Sequence, residues 1–160
     1  MEHLWAPWRN LYVKDNQKNE GDIFAEIARG SDDEGHFVLA RAKSCFALLN
    51  VFPYNTGHLM ILPYRATGAL EDLSDDESLE LLTMLKRMKA AVTAAFHPEG
   101  FNVGINLGAA AGAGIDQHLH IHLVPRWRGD ANFMTVTAET RVHPTDLGAV
   151  YAAIKKHLEI

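Results

Sequence analysis

The sequence predicts a mixed domain, in which an antiparallel sheet of short strands packs with amphipathic helices. The pattern Ser74-Asp75-Asp76-Glu77 is a capping box and predicts the start of the longest helix, which continues to about residue 96. At 160 residues the chain can bury one core, so we expect a single domain over residues 1–160. Short apolar runs with short connections favour an antiparallel meander, and they lie at residues 36–42, 44–51 and 58–63.

The other elements follow from local periodicity. Residues 22–29 and 144–159 predict a short and a C-terminal helix. Residues 101–107 alternate apolar with small or polar side chains, which predicts a strand with Asn106 on its polar face. Pro7 between two tryptophans disfavours regular structure, so residues 1–20 are expected to form an extended arm. In the longest helix, apolar residues at helical spacing are expected to face the core: Leu82, Leu85, Met88, Val92 and Phe96.

Composition and charge restrict the kinds of molecule that the protein can bind. A net charge of −5 provides no electrostatic footprint for a nucleic-acid polymer, whereas a small phosphorylated ligand needs only a local pocket. Cys45 is the single cysteine, which excludes an intramolecular disulfide and a cysteine-cluster metal site, and its apolar neighbours predict a buried thiol. No signal peptide is visible and no apolar run approaches the about 18 residues of a membrane span. We therefore expect a cytoplasmic protein with no membrane partner.

The most informative stretch is His118-Leu119-His120-Ile121-His122-Leu123-Val124, in which histidine and aliphatic residues alternate. This period predicts a strand with three imidazoles on one face and the aliphatic residues on the core face. Three interpretations are open at this point. In the first, the histidine face is a solvated surface. In the second, the imidazoles bind a metal, although such sites usually add a further ligand, often a carboxylate. In the third, a histidine is itself a nucleophile that its neighbours orient.

A nearly side-chain-free loop leads into this stretch. Residues 108–114 contain only glycine and alanine, so a ligand can approach the backbone closely and meet its N–H groups. Such loops are often mere connections, but this one directly precedes three histidines. We interpret it as a phosphate-binding loop, with the backbone at Gly112, Ala113 and Gly114 as candidate donors.

Residues 118–124 match the His-φ-His-φ-His-φ-φ signature of the histidine-triad (HIT) nucleotide-binding family, where φ is apolar. Asn50, followed by Gly57-His58 and the apolar residues 59–63, is similar to the family's upstream strand–turn–strand. Residues 4–9 and 124–133 resemble the bacterial branch that contains diadenosine tetraphosphate phosphorylases. The resemblance implies an α+β fold with a five-stranded antiparallel sheet, one long and one C-terminal helix, and a homodimer that joins two sheets.

The resemblance also implies a reaction. A histidine attacks the α-phosphate of a purine nucleotide or dinucleoside polyphosphate, and water or phosphate then resolves the nucleotidyl-histidine. His120 matches the nucleophile, and His118, His122 and His58 match the imidazoles around it. The nucleotide-binding residues that the resemblance implies are Asn106 at the phosphates, Asn50 at the ribose, and Ile23 and Phe24 at the base. Neutral imidazole suits this role, and a polyphosphate leaving group needs little protonation.

The sequence departs from the family at its metal site. Some members bind a structural zinc through a Cys-x-x-Cys pair and histidines, but here Asp22 and Ala25 stand in the cysteine positions and Ala66 in that of a histidine. We therefore expect no metal and no cofactor, and a divalent cation would enter only on the substrate phosphates. Two other functions stay open: a nucleotide-binding module with phosphoramidase-like or vestigial activity, and a metal enzyme with histidine ligands.

Overall fold

The structure is a computed structural model that describes residues 22–130 and 146–158. The predicted N-terminal arm lies outside the described residues. The strands are β1 (Val38–Arg41), β2 (Cys45–Leu49), β3 (Leu59–Pro63), β4 (Gly100–Ile105) and β5 (Ile121–Arg126). The helices are α1 (Ile23–Arg29), α2 (Asp75–Phe96) and α3 (Leu147–Lys155). Short 3₁₀ turns span Leu70–Asp72 and Ala109–Ala111.

Within the described ranges, the strands form one 5-stranded sheet in the order β1-β2-β3-β5-β4. Every neighbouring pair is antiparallel, and β1, β2 and β3 follow one another as the predicted meander. The meander does not continue, because the chain leaves β3 through α2 and β5 then inserts between β3 and β4. As a result β4 lies at one edge of the sheet and β5 lies beside β3.

Apolar side chains cover both faces of the sheet. On one face α2 and α3 bury Met88, Val92 and Ile154 against Leu59 and Leu123. On the other face α1 packs Phe24 and Ile27 against side chains of β1, β2 and β3. Burial of this apolar surface is the main favourable contribution to folding. None of the helices in the described part of the chain combines the length and apolarity needed to cross a bilayer.

Helix α2 confirms the predicted boundaries and corrects the predicted face. The Ser74 hydroxyl accepts a hydrogen bond from the Glu77 N–H, and the Glu77 carboxylate accepts one from the Ser74 N–H, which completes the capping box. The buried face contains Leu81 and Met84, whereas Leu82 is 48% exposed, so its assignment to the core was wrong. Leu81 and Leu82 are adjacent leucines, and periodicity alone does not decide which of the two faces the core.

Cys45 is fully buried, as the sequence predicts. Burial raises the pKa of its thiol to about 12, with a smaller contribution from the Glu80 carboxylate. Because the thiolate is the reactive form, this cysteine is inert at neutral pH.

The histidine strand begins later than its pattern indicates. We predicted a strand over residues 118–124, but β5 starts at Ile121. The Leu119 N–H donates to the Thr67 carbonyl at 2.7 Å, so this segment is held by a loop before it enters the sheet ladder. The predicted apolar face is nevertheless right, since Leu119 and Leu123 are buried and Ile121 packs against the same core as Leu123.

Candidate active site

Four buried histidines meet where β3 and β5 lie side by side. His58 directly precedes β3, and His122 is paired with Met60 in the ladder between those strands. His118 and His120 lie just before β5, and their exposed fractions are 0% and 7%. The rings of His120 and His122 have centroids 4.9 Å apart, and those of His58 and His122 are 5.1 Å apart. The structure therefore brings together all four predicted catalytic residues.

The hydrogen bond of His120 identifies its free nitrogen. Nδ1 lies 2.8 Å from the His118 carbonyl oxygen, which can only accept, so Nδ1 carries the proton. In the neutral ring the lone pair is then on Nε2. Burial lowers the pKa of His120, the bond to the His118 carbonyl opposes this lowering, and the electrostatic interaction with the His118 side chain adds to it. His120 is thus a neutral imidazole near pH 7, with Nε2 as its nucleophilic atom.

His58 and His122 form a directed pair. The Tyr54 backbone N–H donates to His58 Nδ1 at 3.0 Å, so a neutral His58 carries its proton on Nε2. That nitrogen lies 3.0 Å from Nδ1 of His122, which therefore accepts. The proton of a neutral His122 is consequently on its own Nε2. The Tyr54 ring also packs on His58, with centroids 4.5 Å apart, a contact that the sequence did not predict.

His118 makes a different set of contacts. Its Nδ1 lies 2.7 Å from Oδ2 of Asp22, and its Nε2 lies 2.9 Å from the carbonyl oxygen of Pro63 at the end of β3. The other Asp22 oxygen accepts from the N–H groups of Phe24 and Ala25 and so caps α1. Sequence reasoning noted Asp22 only as a lost zinc ligand. Its position at the start of the helix predicted over residues 22–29 was the available signal for a cap, but no local pattern predicts its partner.

The two residues predicted to contact the base have different environments. Phe24 is buried, and its ring centroid lies 5.6 Å from those of both His118 and His120. Ile23 is 37% exposed. Helix α1 therefore presents an aromatic ring directly against the triad, and contact with a base stays a prediction for both residues.

Of the two predicted asparagines, Asn50 lies beside His58, and Asn106 directly follows a strand that pairs with β5. Asn50 follows β2, its side-chain oxygen accepts from the Phe52 N–H, and its amide nitrogen is 3.5 Å from Nε2 of His58. Asn106 follows the last ladder pair of β4 and β5, Ile105 with Ile121. Gly104, two residues before Asn106, pairs with His122 in this ladder. A Cβ atom on Gly104 would meet no atom of the described residues within 4 Å, so these residues leave the space beside this ladder pair open.

In the glycine–alanine loop, some of the backbone N–H groups donate hydrogen bonds within the loop itself. Gly112 has φ 91°, a conformation that suits glycine, and its N–H donates to the Ala109 carbonyl at 3.0 Å. The Ala113 N–H donates to the Gly108 carbonyl at 3.4 Å. These two N–H groups already have acceptors in the loop, whereas Gly114 N–H has none among the described residues. Phosphate binding at Gly112, Ala113 and Gly114 stays a prediction.

This geometry agrees with comparisons to known proteins. Residues 33–129 match the HIT domain family. The chain belongs to the HIT family. It is 43% identical over 152 residues to the AP-4-A phosphorylase of Mycobacterium tuberculosis, an alignment covering 90% of this chain and 77% of that protein. It is 32% identical over 96 residues to the asymmetrical bis(5'-nucleosyl)-tetraphosphatase of Schizosaccharomyces pombe, covering 60% of this chain and 52% of that one.

Among solved structures, the HIT chain is similar to a Zn-bound histidine triad family protein from Mycobacterium smegmatis. The TM-score is 0.69 at 25% identity, covering 86% of this chain and 92% of that one. In the part of this chain that the structure describes, no group of three or more His, Cys, Asp or Glu side chains is placed to hold a metal. Ala25 and Ala66 offer no donor atom, so these residues do not fit the zinc site of some family members.

Proposed function

We propose that this protein is a nucleotidyl transferase or hydrolase that cleaves dinucleoside polyphosphates at an α-phosphate. The observation that carries the proposal is the hydrogen bond from His120 Nδ1 to the His118 carbonyl, because it leaves the lone pair on Nε2. Burial keeps that ring neutral by lowering its pKa. A buried, oriented and neutral imidazole is a suitable nucleophile for phosphorus.

The reaction has two displacements. In the first, the lone pair on His120 Nε2 forms a bond to the α-phosphorus, and the bond from that phosphorus to its bridging oxygen breaks. A nucleoside polyphosphate leaves with the electron pair, and a nucleotidyl-histidine remains. In the second, an oxygen of water or inorganic phosphate attacks the same phosphorus, and the bond to Nε2 breaks. The acceptor loses its proton to solvent, and the histidine returns to its neutral form.

The surrounding groups suit the charge that develops on the phosphoryl oxygens. The His58–His122 pair directs a proton to Nε2 of His122, which is then a donor. The open face at Gly104 gives the phosphates room beside it, and Asn106 follows two residues later, where we propose that its amide contacts them. Donors already in position stabilise the transition state without reorganisation. The ribose contact of Asn50 and the base contacts of Ile23 and Phe24 belong to the same proposal.

The choice of acceptor is supported by the relatives rather than by the geometry. The 43% identical relative is named a phosphorylase, and a more distant one is named a tetraphosphatase. We therefore propose phosphate as the acceptor, with diadenosine tetraphosphate as a substrate. The products are then ATP and ADP, whereas water as acceptor gives ATP and AMP.

Product analysis tests this proposal. Purified protein is incubated with diadenosine tetraphosphate, with and without inorganic phosphate, and the nucleotides are separated by chromatography. We expect ADP and ATP only when phosphate is present, and no turnover by His120→Ala. AMP and ATP in both conditions would make the protein a hydrolase. Tight AMP binding by calorimetry, with no turnover of dinucleotides or phosphoramidates, would instead support a binding module.

A homodimer is part of the proposal. Strand β4 leaves one edge of the sheet uncovered by another described strand, and its Val103 is 53% exposed. Helix α2 lies beside this strand, since Lys89 Nζ is 5.3 Å from the centroid of the Phe101 ring. Leu82 is one heptad before Lys89, on the same helix face, and is also exposed. A second copy that paired with β4 would extend the sheet and cover these apolar side chains.

Sedimentation tests the dimer. Val103→Lys places a charge on the uncovered strand, so we expect it to shift the wild-type dimer to monomer. Leu70→Lys is a matched control, because Leu70 is also an exposed aliphatic residue but lies on the 3₁₀ turn before α2. A monomeric wild type would contradict this part of the proposal.

Two further properties stay proposals. We propose that no metal or cofactor is resident, apart from a divalent cation brought by the substrate phosphates. Elemental analysis finding stoichiometric zinc or iron, with activity lost on chelation, would overturn this and favour a metal enzyme. The cytoplasmic location is a prediction from the sequence, which fractionation of the source cells tests.

A further inference from the structure

His118 has acceptors at both ring nitrogens. Oδ2 of Asp22 lies 2.7 Å from Nδ1, and the Pro63 carbonyl oxygen lies 2.9 Å from Nε2. A neutral imidazole carries one proton and can satisfy only one acceptor, which would leave a lone pair facing another lone pair. The ring is completely buried, so water cannot relieve that repulsion. The geometry therefore requires one more proton, on either His118 or Asp22.

The contacts of Asp22 decide where that proton is. Its Oδ1 accepts from two backbone N–H groups, those of Phe24 at 3.0 Å and Ala25 at 3.1 Å. Two such donors stabilise a carboxylate, which is also the ordinary state of aspartate at neutral pH. The side chain keeps 14% exposure, so its charge is partly solvated. The additional proton therefore belongs to His118.

We propose that Asp22 is a positioning residue that holds His118 as a buried imidazolium, and so fixes both helix α1 and a positive charge beside the nucleophile. The link joins the cap of α1, the end of β3 and the triad through one ring. Helix α1 also carries Phe24, which packs on His118 and His120. Asp22 thus sets the position of the aromatic wall of the site as well as the state of His118.

The charge has a consequence for His120. Among the described groups that face His118, Asp22 and His120 are titratable, whereas the Pro63 carbonyl and the Phe24 ring are not. Because His120 follows two residues later, a cation at His118 disfavours a second cation there. The imidazolium therefore helps to keep the nucleophile neutral. This kinetic consequence rests on the proposed function, whereas the protonation of His118 does not.

The test uses an almost isosteric change. Asp22→Asn retains an oxygen that caps α1 and an amide N–H that can donate to His118, so a neutral His118 can replace the imidazolium. Asp146→Asn is the matched control, because Asp146 caps α3 in the same way, accepting from the Ala149 N–H at 3.2 Å. Each protein is labelled with ¹⁵N and its imidazole nitrogens are observed by long-range NMR correlation. The His118 signals are assigned by their loss in His118→Gln.

We expect both His118 nitrogens to be protonated at pH 7.5 in the wild type and in Asp146→Asn, and only one in Asp22→Asn. We also expect the acid limb of kcat/KM to move to higher pH in Asp22→Asn, by about half a unit or more, since the pKa of His120 rises. A wild-type His118 with one protonated nitrogen would overturn the inference, as would an Asp22→Asn protein with unchanged NMR signals. If the wild type turns over no dinucleotide, the proposed function fails while the NMR result still decides this inference.

Discussion

At the scale of single residues, a backbone carbonyl determines which nitrogen of His120 is available. Since the His118 oxygen accepts from Nδ1, the lone pair on Nε2 has a fixed direction. A different set of partners holds each of the other three rings: Tyr54 N–H orients His58, His58 orients His122, and Asp22 orients His118. Four chemically identical side chains are therefore held in different orientations by different neighbours.

The pH profile of activity tests whether His120, the proposed nucleophile, is neutral. The pKa of His120 is lowered, mainly by burial, so the ring stays neutral even at a pH somewhat below the ordinary histidine pKa of about 6.5. Because protonation removes the lone pair on Nε2, activity falls only when the pH passes below that lowered pKa. We expect the acid limb of kcat/KM to lie below about pH 6.5. An acid limb at or above that value would show that burial does not keep this ring neutral.

Residues close together in sequence were the predictable part of the site. The triad and His58 stand in recognisable local patterns, and the structure brings these four side chains together. Asp22 and His118 are separated by 96 positions, and no periodicity links them. The Tyr54 ring was missed for another reason, since a loop tyrosine next to proline gives no indication of which ring it will cover.

At the scale of elements, the segment before β5 is held by the loop that follows β3. The Leu119 N–H donates to the Thr67 carbonyl, and Gly68 lies against the backbone of Asp116. The alternating pattern predicted the apolar face of this stretch, but it could not show that the ladder starts only at Ile121. A hydrogen bond to a distant loop determined that boundary.

Substituting Gly68 tests this support. A Cβ atom there would lie 2.3 Å from the Asp116 carbonyl oxygen, a backbone atom that cannot move without displacing the approach to the triad. We expect Gly68→Ala to lower the free energy of unfolding by about 1–3 kcal/mol, as overpacking does, and to lower kcat. Urea denaturation and steady-state kinetics measure the two effects.

Gly100→Ala is the matched control for that change. A Cβ atom on Gly100 would meet nothing within 4 Å, so the same substitution is expected to have little effect on stability or turnover. If Gly68→Ala behaved like this control, the loop after β3 would not support the segment before β5.

At the scale of the whole molecule, two carboxylates tie distant segments together. Asp130 accepts from Arg126 and from Asn55, and chiefly the Arg126 bond lowers the pKa of Asp130 to about 2. Glu77 accepts from Arg65, which is the main reason that its pKa is lowered to about 2. Both groups are more acidic in the folded chain than in an unfolded one, where carboxyl pKa values are about 4.

Acid should therefore weaken the fold over a defined range. A carboxyl group whose pKa is lowered by folding stabilises the folded state above its unfolded pKa, and that contribution is lost as the pH falls through its folded pKa. We expect the free energy of unfolding to decrease between about pH 4.5 and pH 2, and the decrease to be smaller in Asp130→Asn. Urea denaturation at a series of pH values measures both.

The exposed pair of Arg128 and Glu99 supplies the control for this prediction. Arg128 has 93% of its side chain exposed, and such surface pairs contribute little to stability. Glu99→Gln should therefore leave the pH dependence unchanged. If the free energy of unfolding depended on pH equally in the wild type and in Asp130→Asn, the Asp130 contacts would not stabilise the folded chain.

In the proposed reaction Nε2 of His120 becomes bonded to phosphorus during turnover, and this bond can be trapped. Diadenosine tetraphosphate labelled at its α-phosphates is mixed with the protein, the reaction is quenched within milliseconds in alkaline denaturant, and the labelled residue is identified by peptide mapping. We expect a nucleotide bonded to His120 in the wild type and none in His120→Ala. Label on another residue, or turnover by His120→Ala at the wild-type rate, would contradict it.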